Sequence, residues 1–286
     1  MVRNKIMILI TGHKGFVGGH LTKALGKRAW VGFDLVDGQD IRNKYELAKV
    51  FATHRIDTVI HLAAEAGLRR GEKYPDEYIT RNIIGTRNLL EVAEDNNVKH
   101  LIFFSSSSVF GGQAPPFDEE SLLSPDCVYG MTKAAGEVLC KISPVPTTIV
   151  RPFSIYGEGG RGDQFLYKWL NQIKAGEPIS FYGNGNSKRG YVYVGDLVNG
   201  VLKLIDRKPK DDYETFNLGG QQVITLKALL KVFKAAYPAI KVKKYPLPKA
   251  DALENWANIY KANTILGWYP NTDFRKKLTE IIEEEL

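Results

Sequence analysis

Three glycines, Gly12, Gly15 and Gly18, separate an apolar run, Ile6 to Ile10, from a segment of helical periodicity, Phe16 to Leu25. A run that short and that uniformly apolar reads as a strand buried on both faces. A buried strand that bends through spaced glycines straight into a helix points to a parallel, doubly wound sheet of the Rossmann type. Each glycine has a task. Gly12 permits the tight turn, Gly15 lets a pyrophosphate approach the backbone, and Gly18 lets the helix lie close to the strand. The helix start, with Phe16 and Val17, supplies amide donors and positive potential. The turn therefore predicts a bound dinucleotide.

Asp34 ends the next predicted strand, Trp30 to Phe33, about 20 residues on, where a carboxylate reaches a ribose hydroxyl. It favours NAD, because it would repel the 2′-phosphate of NADP. His13 and Lys14 pull the other way. Leu35 follows Asp34, and Asp40 with Ile41 stands where the adenine would lie.

The alternation continues. Helical segments are expected at Asn43 to Thr53 (Tyr45, Leu47, Val50 and Phe51 inward), Pro75 to Asp95 and Tyr129 to Lys141. Strands are expected at Thr58 to Leu62, Leu101 to Phe104 and Thr147 to Val150. Right-handed crossovers then place ligands at the carboxyl ends of the strands. After Arg151 the pattern loosens into glycine-rich loops, a helix at Asp163 to Ala175 and an amphipathic tail, Phe274 to Leu286. This predicts a dinucleotide-binding domain over 1–151 and a smaller, mainly substrate-binding lobe over 152–286. Residues 191–219 should return to the first domain, with Val192 to Val194 and Phe216 to Leu218 rejoining the sheet.

The formal net charge of +7 allows nucleic acid, an anionic membrane surface or an anionic small substrate. The basic residues are scattered, without the aromatic interleaving of a nucleic-acid platform. Lys241 to Lys244 reads as a strand with one wet face. An anionic substrate is favoured over nucleic acid or membrane. Cys127 and Cys140 form no CxxC and read as free thiols. The five histidines make no metal-ligand spacing, so no metal is expected, and His61 reads as an ordinary strand-end histidine. The absence of a signal-like start and of an apolar run near the roughly 20 residues of a spanning helix predicts a cytoplasmic protein.

Tyr129 and Lys133 fall at i and i+4 on one helix face. A free tyrosine has a pKa near about 10; a neighbouring ammonium should lower it, so that the phenolate acts as a base near neutrality. Ser105 and Ser106, at the end of the fourth strand, can hold a substrate oxygen beside it.

These residues resemble the extended short-chain dehydrogenase/reductase family, specifically its nucleotide-sugar 4-epimerases. The resemblance spans nearly the whole chain. It also takes in His61-Leu62-Ala63-Ala64, Asn82 with Gly85-Thr86, Arg151-Pro152-Phe153, Phe181-Tyr182-Gly183, Arg189 and Leu266-Gly267-Trp268-Tyr269-Pro270. It implies Ser106, Tyr129 and Lys133 as the catalytic triad. Leu62, Ala63, Ala64, Asn82, Ser105 and Phe153 would be cofactor contacts, and Arg189 would lie on the nucleotide diphosphate. It further implies NAD that stays bound through turnover, a UDP-sugar substrate, and a homodimer formed through Pro75 to Asp95 and Tyr129 to Lys141. The family's 4,6-dehydratases carry Asp-Glu where this chain has Ser107-Ser108, so elimination of water is rejected.

Ala66 to Arg69, the serine run Ser105 to Ser108, Ser154 and Gly160-Arg161-Gly162-Asp163 look most like the UDP-glucuronate 4-epimerases. Arg69, Ser107, Ser108, Ser154, Arg161 and Phe181 are then candidate substrate contacts, with Arg161 offsetting a sugar carboxylate. Two departures stand out. Arg189 is followed by Gly190 where the family usually has Asp. Lys249 stands in for a diphosphate arginine, which it replaces only as a point charge. A UDP-glucose or UDP-N-acetylglucosamine epimerase, an NADPH-dependent 4-ketoreductase and a catalytically silent nucleotide-sensing module remain alternatives, because a fold alone does not separate them.

Overall fold

The computed structural model describes residues 6–207, 209–247 and 253–286. Strands β1 (Met7–Thr11), β2 (Ala29–Phe33), β3 (Thr58–His61), β4 (His100–Phe104) and β5 (Thr147–Pro152) come first. Short strands β6 (Ile155–Tyr156), β7 (Ile179–Tyr182), β8 (Lys188–Gly190) and β9 (Val192–Tyr193) follow. β10 (Tyr213–Leu218) precedes β11 (Val223–Thr225), β12 (Val242–Tyr245) and β13 (Glu254–Asn255). The helices are α1 (Phe16–Ala24), α2 (Lys44–Thr53), α3 (Leu68–Lys73), α4 (Pro75–Tyr78), α5 (Gly85–Asp95) and α6 (Val128–Ile142). They continue with α7 (Phe165–Lys174), α8 (Val194–Asp206), α9 (Leu226–Ala236), α10 (Tyr260–Leu266) and α11 (Phe274–Glu285).

Six strands form one parallel sheet in the order β10-β5-β4-β3-β1-β2. The order reverses at β1, which opens a crevice between the β1 and β3 ends. Alternation along β1 explains its unbroken apolar run. Ile8 and Ile10 join one core with Leu197, Val201 and Trp268; Leu9 joins the opposite core with Leu47, Phe51 and Phe103. Both faces are covered, so every side chain must be apolar. A third core, built on Trp169, Phe181, Phe233 and Phe274, supports the smaller sheets.

Three local expectations are corrected. Val192 and Tyr193 pair with β6 in a two-stranded sheet, and only β10 rejoins the large sheet. Tyr45 is 70% exposed, because the inward arc of α2 is narrow and carries only Leu47 and Phe51 as fully buried residues. The segment 75–95 is interrupted by a π-helical stretch, Ile79–Ile84, between α4 and α5. That extra residue per turn brings Asn82 inward: its amide oxygen accepts from the Glu65 N–H at 2.8 Å, and its nitrogen donates to Thr132 Oγ1 at 3.0 Å.

Both cysteines are buried free thiols. Among the described residues no helix is long and apolar enough to cross a membrane, and no cluster of potential metal ligands occurs. His61 is a core histidine held by Thr11 at 2.8 Å and Thr86 at 3.0 Å. Burial, with the Lys133 charge adding to it, pushes its pKa down to about 3. Burial and the Arg207 charge push His100 down to about 4.

Both histidines stay neutral in the fold while the unfolded chain takes up protons below its ordinary value of about 6.5. Stability is therefore full above that pH and is lost as pH falls toward the folded values. Urea unfolding should show a loss of roughly 2 kcal/mol per histidine between pH 7 and pH 5. His100→Gln should show a visibly smaller loss over the same interval; an identical pH dependence contradicts the assignment.

Candidate active site

The carboxyl ends of the parallel strands lie level. Thr11 is in register with Phe33 and His61, His61 with Phe103, and Phe104 with Val150. Residues just beyond these ends therefore share one crevice. Gly12 takes a positive φ of 76°, and its N–H donates to Phe33 O at 2.8 Å. A Cβ on Gly12 would stand 2.7 Å from Ala63 N, and one on Gly18 2.2 Å from Gly12 O. Both glycines are demanded by the packing of the turn itself. Gly15 differs. It is extended, with φ −71°, and an added Cβ would meet only Gly12 O, at 3.3 Å. No internal contact requires glycine there, so its bare backbone fits the approach of a pyrophosphate to the start of α1.

Asp34 is buried at the end of β2. Its carboxylate accepts the N–H of Lys14 at 2.8 Å and of Val36 at 3.0 Å, which holds it beside the glycine turn. Lys14 and His13, the two groups that would favour a 2′-phosphate, both face Asp37; His13 lies 3.4 Å from it. Leu35 is half-exposed beside them and Ile41 is buried against Gly85. Asp40 is paired with Arg42, whose hydrogen bonds hold its carboxyl below the usual range despite partial burial. Ala63 donates its N–H to Thr11 Oγ1 at 3.3 Å, which ties the Leu62–Ala64 turn to the glycine turn.

Ser106 caps a short 3₁₀ turn, Ser107–Phe110, accepting the Ser108 N–H at 3.1 Å. Tyr129 stands in the first turn of α6, edge-on to Tyr78 with ring centroids 6.2 Å apart. Burial raises its pKa, against the opposing pull of the Arg161 guanidinium and the Ser106 hydroxyl. This corrects the expectation that Lys133 lowers it. Lys133 is buried one turn further along α6 and donates to Phe104 O at 2.7 Å. Burial pushes Lys133 itself down to about 8, against the Cys140 and Glu137 charges. The cation acting on the phenol is thus Arg161, from a loop that sequence spacing does not connect to α6.

Tyr129 and Ser106 open onto a cavity of about 660 Å³. Ser107, Ser108, Phe153 and Ser154 line it, as do Arg69, Arg161 and Arg189. Its titratable lining among the described residues also includes Arg70, Lys168 and one acid, Asp163. Asp163 accepts from Arg161 Nε at 2.8 Å and Nη2 at 2.9 Å, so Arg161 enters the cavity already paired, and only its Nη1 lies outside that pair. Arg189 Nη1 donates to Lys188 O at 2.9 Å.

One reading changes. Phe181 is buried against Trp169 in the third core; strand alternation on β7 gives the cavity Ser180 and Tyr182 instead. Ser105 donates to Glu137 Oε1 at 2.6 Å beneath the crevice, and Asn82 is committed to the Glu65 backbone and Thr132. Lys249 lies outside the described residues. Lys168 and Tyr182 were absent from the sequence expectations; the F-Y-G turn and the period of β7 were the signals that pointed to Tyr182, and none pointed to Lys168.

The NAD dependent epimerase/dehydratase family model matches residues 8–219. A UDP-glucuronate 4-epimerase of Thermodesulfobacterium geofontis is 32% identical, over 96% of this chain and 94% of its own. The crystal structure of a UDP-glucuronic acid 4-epimerase from Bacillus cereus, with UDP-glucuronic acid and NAD, superposes with a TM-score of 0.88 at 28% identity. It covers 98% of this chain and 100% of that one. A UDP-glucose 4-epimerase from Thermotoga maritima, solved with UDP-glucose, gives a TM-score of 0.88 at 26% identity, over 97% and 98% of the two chains. The glycine turn, the α6 tyrosine and lysine and the family match together make this chain a member of the NAD-dependent epimerase/dehydratase family.

Proposed function

We propose that the protein is an NAD-dependent epimerase that inverts C4 of a UDP-sugar through a 4-keto intermediate, with UDP-glucuronate converted to UDP-galacturonate. The observation that carries the reading is that Tyr129 and Ser106 line a cation-rich cavity at the same carboxyl end of the sheet as the glycine turn. Tyr129 takes the O4 proton and later returns it. Ser106 holds O4, and Lys133, fixed on the Phe104 carbonyl, orients the proton-transfer end of the helix. Gly12 to Gly18, Asp34 and the Ala63–Ala64 turn hold the dinucleotide, which supplies the hydride acceptor and donor at C4. Ser107 and Ser108, in place of an acid and a base, leave the site unable to eliminate water from the sugar.

The uronate is supported by the hydroxyls of Ser107, Ser108 and Ser154 on the same cavity as Arg161, and by the names of the relatives above. The Arg161–Asp163 pair favours a second reading, a neutral UDP-hexose, because a sugar carboxylate must share that guanidinium with Asp163. As a homodimer the protein would pair through α5 and α6, where Met131, Val138 and Ile142 are exposed along one helix.

Three outcomes are expected. Calorimetric titration should show tighter NAD than NADP binding, and Asp34→Ala should shrink that preference by about tenfold; a wild type that prefers NADP overturns the cofactor assignment. Tyr129→Phe should retain NAD and lose on the order of 10²–10⁴ in turnover; near-normal activity places the base elsewhere. Arg161→Ala should lower kcat/KM for UDP-glucuronate about tenfold to a hundredfold more than for UDP-glucose. An equal loss on both sugars, or a wild type that prefers UDP-glucose, removes the uronate.

A further inference from the structure

Two acids at the cofactor end of the crevice stand on one short turn. Asp34 caps the 3₁₀ turn Leu35–Asp37, its Oδ1 accepting the Val36 N–H at 3.0 Å, and the Asp37 N–H donates to Asp34 O at 3.0 Å. Gly38 closes the turn in the left-handed region, with φ 78° and its N–H on Leu35 O at 2.9 Å. The spacing of the two carboxylates is therefore set by hydrogen-bonded backbone. Lys14 bridges them. Its N–H donates to Asp34 Oδ2 at 2.8 Å, and its ammonium, at the other end of the same residue, donates to Asp37 Oδ1.

The Lys14 ammonium lies within one side chain's length of the carboxylate that receives ribose hydroxyls, and so within reach of a 2′-phosphate on that ribose. Asp37 holds it instead. His13 faces the same acid. Its ring lies on Gly32 of β2, where an added Cβ would strike it, and tilts against Trp30 with ring centroids 5.8 Å apart. Its Nδ1 is buried without a hydrogen-bond partner among the described residues, and its Nε2 lies 3.4 Å from Asp37 Oδ2. One carboxylate therefore faces both basic side chains of the glycine turn. Formal charges show what it changes. Asp34, Asp37 and Lys14 sum to one negative charge; removing Asp37 leaves zero and releases an ammonium.

We propose that Asp37 is a specificity-determining residue for the cofactor: it excludes NADP by holding Lys14 away from the 2′-phosphate, and without it the chain accepts both dinucleotides. The inference rests on the NAD reading above, with Asp34 as the ribose acid. Asp34 does not carry the preference alone, because each of its oxygens already accepts a backbone N–H and an uncommitted Lys14 would offset its charge. The side chains of Lys14 and Asp37 are 43% and 35% exposed, so their attraction by itself holds NADP back by about fivefold at most. The rest is repulsion. A phosphate monoester carries about two negative charges near neutrality, and the Asp37 carboxylate stays where that phosphate must come.

The test is equilibrium titration of the nucleotide-free protein with NAD and with NADP. The wild type should prefer NAD. Asp37→Asn, which keeps the size of the side chain, should tighten NADP about tenfold while NAD moves by less than about threefold, and added salt should erase much of the gain. Lys14→Met should barely change NADP binding in the wild type but should remove most of the gain in Asp37→Asn, because only there is the ammonium available. NADP binding by Asp37→Asn within about twofold of wild type overturns the role of Asp37 and leaves the NAD reading standing. A gain that survives Lys14→Met overturns the proposal too, since the lysine would not be what Asp37 withholds. Equal weakening of both dinucleotides also overturns it, because Asp37 would then be holding the turn itself. A wild type that prefers NADP overturns the NAD reading and the proposal with it.

Discussion

A single buried ion pair sets the geometry on which the site depends. Glu137, fully buried on α6, accepts from Arg151 Nε at 2.8 Å and Nη2 at 2.7 Å at the end of β5. The same carboxylate accepts from Ser105 at the end of β4. Arg151 Nη1 donates to Glu119 O, and the Glu119 side chain accepts the Asn217 N–H on β10 at 2.7 Å. Two carboxylates thus tie α6 to the ends of three adjacent strands: Glu137 holds β4 and β5, and Glu119 links Arg151 to β10. Tyr129, Lys133 and Glu137 are spaced four residues apart on one face of α6, so anchoring the last of them sets the height of the other two above the sheet. Losing one partner of such a pair typically costs about 3–5 kcal/mol, because the other charge is left buried. Its geometric consequence here is that Tyr129 faces Ser106 across a fixed gap.

The crevice built on this frame is electrostatically divided. At the β1 and β2 ends, Asp34 and Asp37 surround the glycine turn and cover the basic side chains of His13 and Lys14. Beyond β4 and β5, five basic residues and one acid among the described residues line the cavity. An adenosine ribose with free hydroxyls suits the first region and an anionic nucleotide sugar the second. Arg161 links the cavity to the chemistry. Its charge opposes the burial that raises the Tyr129 pKa, so a loop on the cavity wall acts on that phenol.

Much of this was legible in the residues. The glycine spacing, the unbroken apolar strands and the turn from Ser105 to Ser108 are local signals. Each reflects a constraint that acts within a few residues: a tight turn, burial on both faces, a strand end. The Tyr129–Lys133 face is local in the same way. Boundaries were close, as at α6, where Val128–Ile142 contains the expected Tyr129 to Lys141.

What failed in the reading failed where distant segments meet. Phe181 was assigned from a motif, yet whether an even or an odd residue of β7 faces the cavity depends on which side α7 and α9 cover. The expected Lys133 effect on Tyr129 followed from helix spacing, but the Phe104 carbonyl, from another strand, takes the ammonium. The contact of Arg69 with the Tyr182 hydroxyl joins segments 113 residues apart. By itself the sequence determined the parallel sheet, the glycine turn and the shared helix face of Tyr129 and Lys133, because backbone conformation and burial periodicity are local. Only the tertiary structure decided which charges those side chains feel, because Coulomb interactions and desolvation depend on distance in space and not along the chain.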